Sequence, residues 1–146
     1  MWFLYAVAAS VLWGMSYAML EELLKKLSFA TIILTSSIAS LIFAAGLGIA
    51  NKNFAGDWDV LKSAGRETKL MLVSIVIYIA ANLFIMASIN AKNATMAAMI
   101  EISYPLFTAL FAWLFFRQVQ VSAGTLAGAV MILAGVCCIY YFGKNI

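Results

Sequence analysis

Apolar residues dominate the chain in five long stretches that are separated by short polar segments. The stretches cover about 1–20, 29–50, 70–91, 94–116 and 119–143. Each is longer than the roughly 18 residues that a helix needs to cross the hydrocarbon core of a bilayer. The pattern therefore predicts an all-α integral membrane protein with five transmembrane helices, organised as a single domain over 1–146.

Composition supports this prediction and excludes several classes of protein. Of the 146 residues, 66% are hydrophobic and only 10% are charged, which is unlike a soluble domain of this size. The formal net charge of +3 comes from basic residues scattered over the loops, so it indicates lysines beside a membrane and not a nucleic-acid surface. Histidine is absent, and Cys137 and Cys138 are adjacent. We therefore expect no metal site, no cofactor and no enzyme active site.

The fourth stretch contains an acidic residue and a proline within a segment long enough to span the membrane. Glu101 and Pro105 are one helical turn apart. A carboxylate within a span is costly and usually faces protein or water, so Glu101 is the leading candidate for a functional site. Pro105 lacks the N–H that would bond the carbonyl of Glu101, which predicts a hinge in this helix.

A helical projection of the fourth stretch separates small residues from bulky ones. The side that carries the acidic residue also carries Ala94, Ala97, Ala98, Pro105, Thr108 and Ala112. The opposite side carries Met99, Ile102, Leu106, Leu110, Trp113 and Leu114. The small side suits a protein interior, and the bulky side suits lipid.

Five further side chains in the spans are candidates for the wall of a cavity around the acidic residue. Trp13 and Tyr17 share a face of the first stretch, and Trp13 lies too deep to be an interfacial anchor. Tyr78 and Asn82 are one turn apart in the third stretch, where an amide must bond either a neighbouring group or cavity water. Tyr104 belongs to the fourth stretch. Packing between helices is the alternative role for Trp13, Tyr17 and Asn82.

Two polar segments between the spans have predicted structural roles and no predicted role in the functional site. After the first stretch, Glu21 with Lys25 and Glu22 with Lys26 have the i,i+4 spacing of surface ion pairs. We therefore assign neither glutamate to the functional site. The longer segment 51–69 predicts a short helix on the membrane surface.

Glycines on one face of the last stretch predict an association surface. Gly124, Gly128 and Gly135 share this face, and the first two form a GxxxG motif. Such a motif lets helix backbones approach closely. The face would pack against another helix of the same chain or of a second one.

Basic residues are nearly balanced between the two sides of the predicted membrane. One side has Lys52, Lys62, Arg66, Lys69 and Arg117, and the other has Lys25, Lys26, Lys92 and Lys144. Because the Lys and Arg bias of short loops sets orientation, this balance predicts no strong preference for one topology. The five-span unit is not repeated within the chain. An antiparallel homodimer would supply the inverted half that many transporters hold within one chain.

Short motifs across the chain resemble the EamA-type unit of the drug/metabolite transporter superfamily. They are Trp13-Gly14-x-Ser16, the link from Asn90 to Thr95, Tyr104-Pro105-Leu106-Phe107 and the glycine-rich last span. In larger members of that superfamily two such units in opposite orientation form a ten-helix carrier. The resemblance therefore implies half of an inverted-repeat ten-helix transporter.

The last span is also similar to the dimer-forming last helix of the small multidrug resistance family. The similar run is 128–136, and members of that family work as antiparallel dimers. They differ in having four spans and an essential glutamate in the first, so Glu101 takes that role only by analogy. Many EamA-type units have a glutamate just after the fourth span, where this chain has Arg117-Gln118.

Together these features predict a multi-pass protein of the bacterial cytoplasmic membrane that moves a small amphipathic metabolite or drug-like compound by alternating access. It would work as an antiparallel homodimer, or as a heterodimer with a similar chain, with Glu101 as its proton or cation site. Two other hypotheses stay open. One is a non-transporting accessory or assembly subunit, and the other is half of a lipid-precursor flippase that pairs with a second small chain.

Overall fold

The computed structural model describes residues 1–51, 54–119 and 121–143. Within these residues the chain forms seven α-helices and no strand. The helices are α1 Trp2–Leu24, α2 Phe29–Asn51, α3 Phe54–Lys62, α4 Arg66–Ala91, α5 Ala94–Glu101, α6 Tyr104–Phe116 and α7 Ala123–Phe142. Two of the basic residues counted for orientation, Lys52 and Lys144, lie outside the described residues.

Five segments are long and apolar enough to cross a membrane, which confirms the predicted all-α fold with five spans. Helices α1, α2, α4 and α7 each form one span, and α5 with α6 forms the span Ala94–Phe116. At most 6% of the apolar window of each span is buried within the chain. The apolar surfaces of the spans are therefore available to lipid or to another protein.

Helix boundaries differ from the predicted spans where local chemistry outweighs hydropathy. Helix α1 continues past its apolar stretch because glutamate and leucine are good helix formers. Helix α7 begins only at Ala123, where the Ser122 hydroxyl oxygen accepts a hydrogen bond from the N–H of Thr125 at 3.2 Å. A serine cap satisfies one of the free N–H groups of a helix start, so the cap sets this boundary.

Contacts within the chain divide it into two compact units. The first unit comprises Met1–Glu21 and Ser88–Ile146, and the second comprises Glu22–Ala87. The first unit contains nearly all of α1 together with α5, α6 and α7, and its most buried apolar residues are Ile89, Ala94 and Ala97. Two of these belong to α5, on the small-residue side that the sequence assigns to a protein interior.

Helix α5 packs against α7 within the first unit. Gly143, which follows the last residue of α7, is buried against Met96 of α5. A Cβ atom on Gly143 would lie 2.1 Å from the Met96 Cε atom, so any other residue here would displace the methionine. This packing fixes one side of the short helix that carries Glu101.

The second unit contains α2, α3 and most of α4. Helix α3 is the short helix that the sequence predicts between the second and third spans. The hydroxyl of Thr68 donates to the carbonyl of Leu61 at 3.0 Å, which joins the start of α4 to the end of α3. The Lys62 ammonium lies 5.8 Å from the Trp58 ring, within reach of a cation–π contact.

Candidate functional site

The acidic residue of the fourth span lies at a break in that span. Helix α5 ends at Glu101, and α6 begins after a turn of two residues. Within this turn the N–H and the hydroxyl of Ser103 both donate to the carbonyl of Ile100, at 3.2 and 2.9 Å. Pro105 follows as the second residue of α6 and offers no N–H to the carbonyl of Glu101. Proline thus removes the hydrogen bond that would carry the helix through this point.

Glu101 is hydrogen bonded to α1. The hydroxyl of Tyr17 donates to Glu101 Oε2 at 2.6 Å, and both residues are partly buried. Hydrogen bonds to an ionised acceptor are shorter and stronger than those between neutral groups. This bond therefore orients the carboxylate and joins α1 to the C-terminal end of α5.

Trp13 extends the pair along α1. Its ring centroid lies 5.7 Å from that of Tyr17, with the ring planes inclined at 51°. Trp13 is 56% exposed, so much of its ring is free to contact another molecule. The structure thus brings three predicted site residues, Trp13, Tyr17 and Glu101, into one group, which we call the Glu101 cluster. Aromatic faces attract cations, and a carboxylate can pair with a cation or accept a proton.

The other candidates from the sequence have more limited contacts. Tyr104 begins α6 and is 62% exposed. Tyr78 and Asn82 belong to α4 in the second unit, where the Asn82 amide donates to the carbonyl of Tyr78 at 2.8 Å. The bond within α4 satisfies one donor of that amide without a neighbouring helix. For these three residues a place in a shared cavity stays a prediction.

Glu21 makes a contact near the candidate site that sequence reasoning missed. The structure gives both glutamates contacts other than the predicted i,i+4 pairs. Lys25 pairs with Glu22, and Glu21 Oε2 accepts a hydrogen bond from the N–H of Ala94 at 2.7 Å. The first N–H groups of a helix have no partner within it, so the start of α5 competes with lysine for this carboxylate. Sequence spacing can predict a pair of side chains on one helix. It cannot predict that the start of another helix binds the same carboxylate.

A second side chain also binds the start of α5. Asn93 is its N-cap, and its Oδ1 atom accepts a hydrogen bond from the N–H of Met96 at 2.8 Å. Asparagine is among the preferred residues at this position. The signal was therefore present in the sequence, in the link before the fourth span.

The glycine face of α7 is uncovered within the described part of the chain. A Cβ atom on Gly128 or Gly135 would meet no atom within 4 Å, and on Gly124 it would meet only the Ser122 hydroxyl, at 3.9 Å. Met131, on the same face, is 70% exposed. The close approach that glycines permit is therefore made at Gly143, and not along this face.

Comparison with known proteins gives a family match. A family model described as the EamA-like transporter family matches residues 1–141. Neither a curated protein nor a solved structure matches the chain. The matched region contains the first four spans, all but the last residue of the fifth, and the whole Glu101 cluster. The match points to a transporter and not to an enzyme.

Proposed function

The chain belongs to the EamA-like transporter family, and from that premise we propose that it is half of a carrier for small amphipathic organic compounds. The working unit is a pair of such chains in opposite orientations, which exposes a shared site to each side of the membrane in turn. Glu101 is the residue that binds a proton or a cationic substrate.

The observation that carries the proposal is the hydrogen bond from Tyr17 to Glu101 within two membrane spans. A carboxylate within a membrane span is energetically costly, and such groups usually mark the path of an ion or substrate. Tyr17 is a neutral donor and leaves the negative charge of Glu101 uncompensated. The carboxylate can therefore hold either a proton or an organic cation, which gives a basis for exchange between the two.

The aromatic members of the cluster support an organic cation as substrate. Trp13 is partly exposed beside Tyr17, and aromatic faces bind organic cations within about 6 Å of the ring centroid. A compound with a delocalised positive charge and an apolar body would match both the aromatic rings and the carboxylate. An anionic solute would be repelled by Glu101.

Two features support pairing with an inverted copy. The glycine face of α7 has no packing partner among the described residues, although glycines at a helix surface in a membrane permit close association. The near balance of basic residues on the two sides removes the usual bias towards one orientation. A second copy could pack on the glycine face, and the balance of basic residues would let it insert in the opposite orientation.

Proton-driven uptake of tetraphenylphosphonium tests the proposal. We would reconstitute the chain into liposomes with an acidic interior and measure accumulation of this cation. We expect uptake by the native chain and a loss of at least about tenfold in Glu101→Gln, because the amide can neither release a proton nor pair with the cation. Glu22→Gln removes an equal charge at an exposed ion pair and should transport normally.

Two results would contradict the proposal. Gradient-driven uptake by Glu101→Gln at the native rate would remove Glu101 from the site. Folded native chain that fails to move this cation or any of a panel of organic cations would instead favour the accessory subunit.

A further inference from the structure

Helix α1 holds α5 at both of its ends. Tyr17 and Glu21 are one turn apart on the same face of α1. Tyr17 donates to Glu101 at the last residue of α5, and Glu21 accepts from the N–H of Ala94 at its first residue. Ala94 and Glu101 are two turns apart, so they share a face of α5. The two bonds therefore join one face of α1 to one face of α5.

The start of a helix strongly favours a bond of the kind that Glu21 makes, between a carboxylate and a backbone N–H of the first turn. The N–H groups of the first turn lack partners within the helix, and the partial positive charge there attracts an anion. Asn93 satisfies the N–H of Met96, and the carboxylate of Glu21 satisfies that of Ala94. Because Glu21 belongs to α1, it satisfies the helix end and also ties α5 to α1.

The break after Glu101 makes this tie important for the site. Helix α6 is separated from α5 by a two-residue turn, so the backbone hydrogen bonds of α6 do not continue into α5. Any rotation or sliding of the start of α5 is carried along the rigid helix to Glu101. Packing on α7 and the bonds to α1 oppose such movement.

We propose that Glu21 is a positioning residue, whose carboxylate holds the first turn of α5 on α1 and so sets the place of Glu101 beside Tyr17. This inference rests on the proposed function, since it presupposes that Glu101 is the substrate or proton site. Glu22 provides a matched control, because it is the next acidic residue of α1 and pairs with Lys25 on an exposed surface.

The test combines hydrogen exchange with ligand binding on the purified full-length chain. Exchange is followed in a peptide that covers 94–101, and binding of tetraphenylphosphonium is measured on the same samples. In Glu21→Ala we expect amide exchange in the first turn of α5 to become about tenfold faster and cation affinity to fall about tenfold, as for loss of a capping group. Glu22→Ala should change neither quantity.

Rescue by a conservative variant separates positioning from general damage. Glu21→Gln keeps an acceptor oxygen at the same reach, so exchange and affinity should stay within about threefold of the native values. Where Glu21→Ala fails to fold, Ala94→Pro tests the same bond from the other side. It removes the donor N–H at a first helical position, where proline is tolerated, and should reproduce the faster exchange and weaker binding.

Different results overturn the two proposals. Native exchange in both Glu21→Ala and Ala94→Pro would show that the bond does not hold α5, and native cation affinity in a Glu21→Ala chain whose α5 exchanges faster would show that the bond does not set the place of Glu101. Either result would overturn the role of Glu21 while leaving Glu101 as the site. Unchanged cation binding in Glu101→Gln would instead overturn the proposed function, and the exchange measurement would still decide whether Glu21 holds α5.

Discussion

Glu101 has its hydrogen-bond donor on a helix that lies 84 positions earlier in the chain. The carboxylate is partly buried. The bond from the Tyr17 hydroxyl stabilises the folded chain and also orients the Glu101 carboxylate. A hydrogen bond to a charged group is worth about 1.5–3 kcal/mol in such settings. Its loss should therefore be measurable as a change in stability.

We predict that Tyr17→Phe lowers the free energy of unfolding by about 1.5–3 kcal/mol, and with it the unfolding temperature by several degrees. The phenylalanine keeps the ring next to Trp13 and removes only the hydroxyl. In a Glu101→Ala chain the same substitution should cost almost nothing, because the donor then has no carboxylate to bind. The measurement is a double-mutant cycle of thermal unfolding in one detergent.

Tyr5→Phe is the control for this cycle, since Tyr5 is on the same helix and is 70% exposed. It should leave stability unchanged. Equal costs of Tyr17→Phe in the native and Glu101→Ala chains would show that the two side chains are not coupled, contrary to the geometry.

Individual side chains show how far the sequence can predict a site. Trp13, Tyr17 and Glu101 are each unusual for their depth in a span, and this identifies them one at a time. Their contact depends on how α1 packs against α5, and the spacing of residues along the chain does not predict that packing. Glu21 shows a different limit. The i,i+4 rule considers only a lysine on the same helix, so it does not predict the bond that Glu21 accepts from the N–H at the start of α5.

At the scale of elements, hydropathy predicts the spans because length and apolar composition alone decide whether a helix can cross a bilayer. It does not predict that the fourth span consists of two helices. Pro105 indicates an irregularity, yet the turn lies just before it, at Ile102 and Ser103. The exact place depends on the bonds from Ser103 to Ile100 that close the turn.

We expect Pro105→Ala to join α5 to α6 and to slow transport. The new N–H can donate to the carbonyl of Glu101, and one net hydrogen bond of about 1 kcal/mol would slow movement at the break roughly fivefold. The readouts are tetraphenylphosphonium uptake and hydrogen exchange of the turn, and both should slow. Pro105→Gly restores the same N–H but keeps a flexible backbone, so it should transport nearly normally. Native rates in Pro105→Ala would show that the break is not a working hinge.

At the scale of the whole molecule, the uncovered face of α7 has a symmetry that distinguishes two modes of pairing. Gly128 and Gly135 lie on either side of the centre of the helix Ala123–Phe142, with Met131 between them on the same face. In an antiparallel pair related by a two-fold axis near this centre, Gly128 of one copy faces Gly135 of the other. In a parallel pair each glycine faces its own equivalent.

Disulfide cross-linking between two differently tagged chains therefore tests the mode of pairing. One chain carries Gly128→Cys and the other Gly135→Cys, both in a background in which Cys137 and Cys138 are replaced by serine. We expect links between unlike tags to dominate, because helices in glycine-mediated contact lie close enough for a disulfide. Links of Gly128→Cys chains to one another would indicate a parallel pair instead.

Labelling of intact cells tests the matching prediction of topology. Ser28→Cys replaces an exposed residue just before the second span, and Ser63→Cys replaces one in the segment between the second and third spans. Each should react only in part with an impermeant thiol reagent if the chain inserts in both orientations. Complete labelling at one position and none at the other would establish a single orientation. Together with absent cross-links between unlike tags, it would exclude the self-paired carrier. The glycine face would then be left for a different chain, as the accessory-subunit and flippase hypotheses require.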